Sequence, residues 1–193
     1  MSSIPKLIIR KILDRKKKGQ KIGFTNGCFD LLHKGHEFFL DECKKNCDFL
    51  VVGLNSDNSV KELKGMKRPV ESSKIRVQKL KSLLSVDEVL IFSELTPELL
   101  IKQINPDVLM KGEDYNVQQI VGKEYVISNG GSVKLIKFLE GYSTTQKIKE
   151  MNIWMYIITG ASGFIGFHIS RELEDKGKEV VLVDHKINIS AKN

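Results

Sequence analysis

Short β-branched and aromatic runs alternate with segments whose apolar residues recur at helical spacing, and this rhythm holds over the first 150 residues. The spacing predicts a helix over residues 5–18, then a strand from Lys21 to Thr25. Further strands fall at 49–54, 87–92, 107–110 and 132–137, with helices at 35–46, 73–84, 97–104 and 117–128. Another helix starts at Ser143, where Ser-Thr-Thr supplies N-cap hydroxyls. Alternating strand and helix mean an α/β fold with a mostly parallel sheet, doubly wound because right-handed crossovers put helices on both faces. Ligands bind such sheets beyond the carboxyl ends of the strands, where strand order reverses. The site is therefore expected just after the first strand.

Near Met151 the pattern starts again. Tyr156 to Thr159 reads as a strand, Gly160-Ala161-Ser162-Gly163-Phe164-Ile165-Gly166 as a glycine turn, the stretch to Lys176 as a helix and Glu179 to Val183 as a second strand. Asp184 closes the series 18 positions after Gly166, the order of a dinucleotide-binding βαβ unit. The chain thus divides into a domain over residues 1–150 and a short C-terminal βαβ fragment over residues 151–193.

Composition narrows the class. With 193 residues, 41% hydrophobic and 28% charged, and with 15 Gly and 4 Pro, the chain suits an ordinary globular protein and not a low-complexity polymer. Its net charge of +7 sits entirely in residues 1–21, where eight bases face the single acid Asp14. Leu7, Ile8, Ile12 and Leu13 have helical spacing inside that arm, so it reads as a packed helix with a solvated face and not as a nucleic-acid or membrane contact. The longest apolar stretch, Phe49 to Leu54, is far short of the ~20 residues of a membrane span. Cys28, Cys43 and Cys47 form neither an even set nor a C-x-x-C pair, which fits a reduced cytoplasmic setting.

Chemistry concentrates after the first strand, in Thr25-Asn26-Gly27-Cys28-Phe29-Asp30-Leu31-Leu32-His33-Lys34-Gly35-His36. Gly27 permits a tight turn whose N–H groups can face an anion, and His33 and His36 share one side of a helix start. Gly35 between them lets a phosphate approach the backbone at the positive end of the helix dipole. Cys28 and Asp30 lie nearby, but no compact ligand set with zinc spacing completes them, so no metal site of the protein's own is expected. Lys64, Arg68 and Arg76 follow the second strand, and Lys111 to Tyr115 follow a strand ending at Met110.

Four blocks then point one way: Gly23 to His36; Asn55-Ser56-Asp57 with Lys64-Gly65 and Arg68-Pro69-Val70; Pro106 to Tyr115; and Glu140 to Thr145. In that order they resemble the H-x-G-H nucleotidylyltransferases, the superfamily of the glycerol-3-phosphate cytidylyltransferases, and within it the branch acting on heptose 1-phosphate. The resemblance implies a Rossmann-like fold. It also implies transfer of AMP from ATP to a heptose 1-phosphate for lipopolysaccharide inner-core synthesis, with Mg²⁺ carried on the ATP phosphates and a homodimer as the usual assembly. It assigns catalysis to His33, His36, Lys64 and Arg76, and the substrate phosphate to Arg68. It assigns the nucleotide to Thr25, Gly27, Cys28, Phe29, Asp30, Gly35, Lys111, Asp114, Gly141, Tyr142, Ser143, Thr144 and Thr145.

Two sites depart from relatives. Glu113 stands where heptose-type relatives often carry Gly, and Phe138-Leu139 stand where cytidylyltransferases often carry Arg-Thr; the second favours ATP over CTP. A cytidylyltransferase of glycerol 3-phosphate or a similar alcohol phosphate, or a non-catalytic nucleotide-binding protein, are the alternatives. The tail resembles the opening of an extended short-chain dehydrogenase/epimerase. Gly160, Gly163, Gly166 and Asp184 would form a vestigial dinucleotide loop, expected to be catalytically inert and to derive from a neighbouring reading frame fused and cut short.

Overall fold

The computed structural model describes residues 6–137, 156–176 and 180–184. The chain forms two compact units, residues 1–144 and 145–193. In the first, helix α1 (Lys6–Lys17) leads into β1 (Ile22–Gly27), α2 (Lys34–Lys44), β2 (Phe49–Asn55), α3 (Asp57–Lys64), α4 (Ser73–Lys81) and β3 (Glu88–Phe92). Helix α5 (Glu98–Ile104), β4 (Val108–Gly112), a 3₁₀ turn (Val117–Gln119), α6 (Lys123–Ser128) and β5 (Ser132–Ile136) complete its described part.

The five strands are all parallel, in the order β3-β2-β1-β4-β5. Strand order reverses at β1, between β2 and β4, so a doubly wound sheet opens its ligand crevice where the H-x-G-H segment begins. Both sheet faces are buried, as a parallel sheet requires. On one side Ile12 of α1 and Leu100, Ile101 and Ile104 of α5 pack on Ile22, Phe24, Val51 and Leu109. On the other, Phe39, Leu40 and Cys43 of α2 and Leu80 of α4 pack on Leu50, Val52, Leu54, Val108 and Met110.

The basic arm packs through Ile8, Ile9 and Ile12, whereas Leu7 and Leu13, expected on the same apolar face, are exposed. Ile12 is 2% exposed, Lys11 pairs with Glu88 at 3.0 Å, and the Arg15 guanidinium lies 4.4 Å from the Phe49 ring centroid. Among the described residues no helix is long and apolar enough to cross a membrane.

Two elements differ from the sequence pattern. The helix expected over 117–128 is split, because Gly122 adopts φ +84° and starts α6 afresh. Helix α3 was not expected: only Ser59 and Val60 are buried in it, so it carries almost no apolar stripe, and Ser56 starts it by accepting the Ser59 N–H at 3.3 Å.

The second unit pairs β6 (Tyr156–Thr159) with β7 (Val180–Val183) in parallel around α7 (Phe164–Asp175). The helix expected from Ser143 lies outside the described residues.

Candidate active site

Chain direction after β1 is set by a tight turn. Phe29 and Leu31 take φ of 44° and 56°, left-handed values that side chains disfavour. A Cβ on Gly27 would come 3.1 Å from the Phe29 ring, so glycine lets that ring fold back against the strand end. The turn delivers His33 to the N-cap position of α2, where its Nδ1 accepts the His36 N–H at 3.3 Å.

The same N–H donates to the His33 carbonyl at 2.8 Å, so the ring nitrogen takes the longer arm of a shared hydrogen bond. The rings of His33 and His36 stack with centroids 3.8 Å apart and planes 19° apart. Phe29 meets His36 edge-on at 5.3 Å. Gly35 is buried between them in the first turn. Both imidazoles thus stand together at the positive end of α2, at the sheet's crossover edge.

A second segment is strapped over this turn. Asp30, 1% exposed, accepts the Val70 N–H at 3.0 Å and the Glu71 N–H at 3.1 Å and pairs with Arg68 Nε at 2.7 Å. Arg76, also 1% exposed, donates to the Cys28 carbonyl at 2.6 Å, the Glu71 carbonyl at 3.0 Å and Asp57 at 2.7 Å. Lys64 ends α3 exposed, within electrostatic reach of the Cys28 thiol. Burial pushes that thiol up from its ordinary value, and Lys64 and Arg76 pull it back.

The sequence-assigned residues therefore separate. His33, His36, Gly27, Cys28, Phe29, Asp30 and Gly35 are one construction, with Lys64 and Arg68 beside it. Arg76 is underneath, its donors turned to protein acceptors, which suits a positioning role. Thr25 is fully buried within β1, and among the described residues its hydroxyl has no hydrogen-bond partner. Lys111 is 7% exposed at the end of β4, and Asp114 lies exposed beyond it, acting on its charge. Gly141, Tyr142, Ser143, Thr144 and Thr145 lie outside the described residues.

Sequence reading passed over Asn26, which accepts from Lys111 Nζ at 2.6 Å. Its signal was a polar residue ending the inward stripe Ile22, Phe24. Among the described residues no group of three or more His, Cys, Asp or Glu could hold a metal ion.

In the second unit Gly160 has φ +69°, and a Cβ on Gly166 would lie 2.3 Å from the Gly160 carbonyl, so the turn and helix make a close approach. Asp184 accepts from the Ser162 N–H at 2.9 Å, which joins the acid to the glycine turn.

Comparison with known proteins agrees with this geometry. A family model described as cytidylyltransferase-like matches residues 24–151, and one described as NAD dependent epimerase/dehydratase matches residues 156–193. The bifunctional protein HldE of Paramagnetospirillum magneticum is 52% identical over 77% of the chain and 31% of its own length. That of Haemophilus ducreyi is 50% identical over 72% of the chain and 29% of its own length. The chain spans less than a third of these curated relatives. A solved lipopolysaccharide core biosynthesis protein from Thermoplasma volcanium superposes with a TM-score of 0.53 at 26% identity, covering 65% of this chain and all of that one.

Proposed function

Since the chain belongs to the cytidylyltransferase-like family, we propose that its first unit transfers AMP from ATP to a heptose 1-phosphate, releasing ADP-heptose and pyrophosphate. An oxygen of the sugar phosphate bonds to the α-phosphorus while the bond from that phosphorus to the α–β bridging oxygen breaks. The electron pair departs with pyrophosphate, and no protein nucleophile is required. What the reaction requires is fixed positive charge and donors around oxygens that gain charge in the transition state.

The observation that carries this reading is the stacked His33–His36 pair at the α2 N-terminus. The helix dipole and Lys64 add positive potential where a triphosphate would lie. Mg²⁺ would be carried by the ATP phosphates, since both carboxylate oxygens of Asp30 are committed to Val70 and Arg68. Choice of ATP and heptose rests on Glu140 to Thr145 and on Phe138-Leu139. It is supported by the HldE relatives and by the solved relative named for lipopolysaccharide core biosynthesis. The product serves inner-core assembly from the cytoplasm.

Pyrophosphate release from each of the four ribonucleoside triphosphates, with heptose 1-phosphate or glycerol 3-phosphate as acceptor, tests this. The expected signal comes from ATP with heptose 1-phosphate. Release from CTP with glycerol 3-phosphate would replace the reading with a cytidylyl transfer, and ATP binding without release from any pair would replace it with a binding role.

A further inference from the structure

The edge that carries the histidine pair also carries a polar cluster on its opposite face. Side chains alternate along a strand, so Asn26 follows Ile22 and Phe24 onto the α1/α5 side of the sheet. In β4, Met110 belongs to the α2 side and Leu109 to the α5 side, and Lys111 follows Leu109. Continuing the pairing of Phe24 with Leu109 sets Asn26 beside Lys111. Lys111 Nζ donates to Asn26 Oδ1 at 2.6 Å and lies 5.0 Å from the Tyr115 ring centroid. Tyr115 is 50% exposed and Lys111 only 7%, so an ammonium is held rigidly behind an open aromatic face.

We propose that Asn26, Lys111 and Tyr115 form the subsite for the phosphorylated acceptor, across the strand edge from the nucleotide clamp. The inference rests on the transferase reading above and deepens it. In-line displacement needs the attacking and leaving oxygens on opposite sides of the α-phosphorus. A triphosphate held by His33 and His36 on the α2 face directs its pyrophosphate that way, so the attacking ester enters from the α5 face. Cys28 marks the junction: its thiol is within electrostatic reach of Lys64, Arg76 and Arg68, and Lys111 is within reach of the same thiol.

The three side chains suit a sugar ester. An aromatic face packs on the C–H face of a pyranose, an amide reads hydroxyls, and an ammonium meets the phosphate. Among the described residues no carboxylate is hydrogen-bonded to Lys111, so its burial is costly in the free protein, and an arriving anion offsets it. Lys111 is thereby moved from the nucleotide, where sequence resemblance placed it, to the acceptor.

The test uses the full chain and two variants, Tyr115→Ala at the exposed ring and Lys111→Met at the buried amine, with thermal melting to confirm folding. Equilibrium titration with heptose 1-phosphate, and separately with ATP, gives both affinities without turnover. Acceptor affinity is expected to fall about tenfold or more in each folded variant, roughly 1.4 kcal/mol, with ATP affinity within about twofold. Loss of ATP affinity with acceptor binding intact, or wild-type protein that binds no heptose 1-phosphate, overturns the subsite. If Lys111→Met fails to fold, the Tyr115→Ala titrations decide alone. Pyrophosphate release reports on the transferase reading independently, so the two can fail separately.

Discussion

Arg76 holds the carbonyl of Cys28, reaching back 48 positions from α4 to donate at 2.6 Å. The same guanidinium is bound to Glu71 and Asp57, so one side chain locks the signature turn to the strap that crosses it. Removing one partner of such a buried network costs about 3–5 kcal/mol. Arg76→Met is expected to lower thermal stability by that order, measured by calorimetric or circular-dichroism melting. Arg76→Lys should recover only part, since an ammonium cannot reproduce the planar three-way fork. A methionine variant as stable as the parent would refute this positioning role.

Asp30 anchors the other end of the strap. Asparagine in its place offers one oxygen in place of two and sets an N–H₂ group toward donors it cannot accept from. Asp30→Asn should free the segment from Lys64 to Arg68, which contains two tryptic sites, after Lys64 and after Lys67, because Pro69 protects Arg68. Limited trypsinolysis should cut there several-fold faster than in the parent, and unchanged cleavage would mean the strap is held by other contacts.

His36 stacks on His33 and meets Phe29 edge-on. Loss of one transition-state donor costs about 10²–10³ in turnover, so His36→Ala should lower kcat by that factor with ATP affinity changed much less. Single-turnover pyrophosphate release separates the two effects. Turnover near the parental value would remove the imidazole clamp from the mechanism.

Burial pulls Lys111 down to about 8, against the opposing pull of Asp114 and the Cys28 thiol. Cys28 and Tyr115, the other titratable groups facing it, are both pushed up by burial. Acceptor affinity should therefore decline as pH rises through about 8, and Lys111→Arg should abolish that limb. Stability should move the opposite way. Below that pH both folded and unfolded chains carry the proton and the burial cost is fully present. Between about 8 and the ordinary lysine value of 10.5 the unfolded chain holds this proton more tightly, so the Lys111 contribution to stability rises with pH, while Cys28, Cys43 and Cys47, all pushed up by burial, pull the other way above their ordinary value of 9.0. Lys111→Met should accordingly melt no lower than the parent, although it binds acceptor more weakly. The difference in melting temperature between the parent and Lys111→Met from pH 7 to pH 10, in which the cysteine contributions cancel, checks the sign.

Strands and the α2 start were legible because β-branched runs and the His-x-Gly-His spacing are local signals. Helix α3 was not, because its packing uses little more than Val60 and its remaining surface, apart from the exposed Leu63, is polar. The single helix expected over 117–128 ignored Gly122, where a Cβ would lie 2.6 Å from Ile101 Cδ1 and where the backbone takes a left-handed turn. The family resemblance placed Arg76 at the site but could not reveal that its donors are consumed beneath the turn. Asn26 was hidden for the opposite reason: its role depends on Lys111, a residue 85 positions away that only strand pairing brings alongside.

Phe29 and Leu31 bend the loop into a hand that neither side chain prefers. The packing of Phe29 in the core beside Phe39 and Leu40 keeps that bend in place, so the cradle takes its shape while the chain folds. Little conformational entropy is then lost when a triphosphate arrives. Glycine at either position would ease the backbone yet loosen the receptor, trading a rigid socket for one that each nucleotide must order anew.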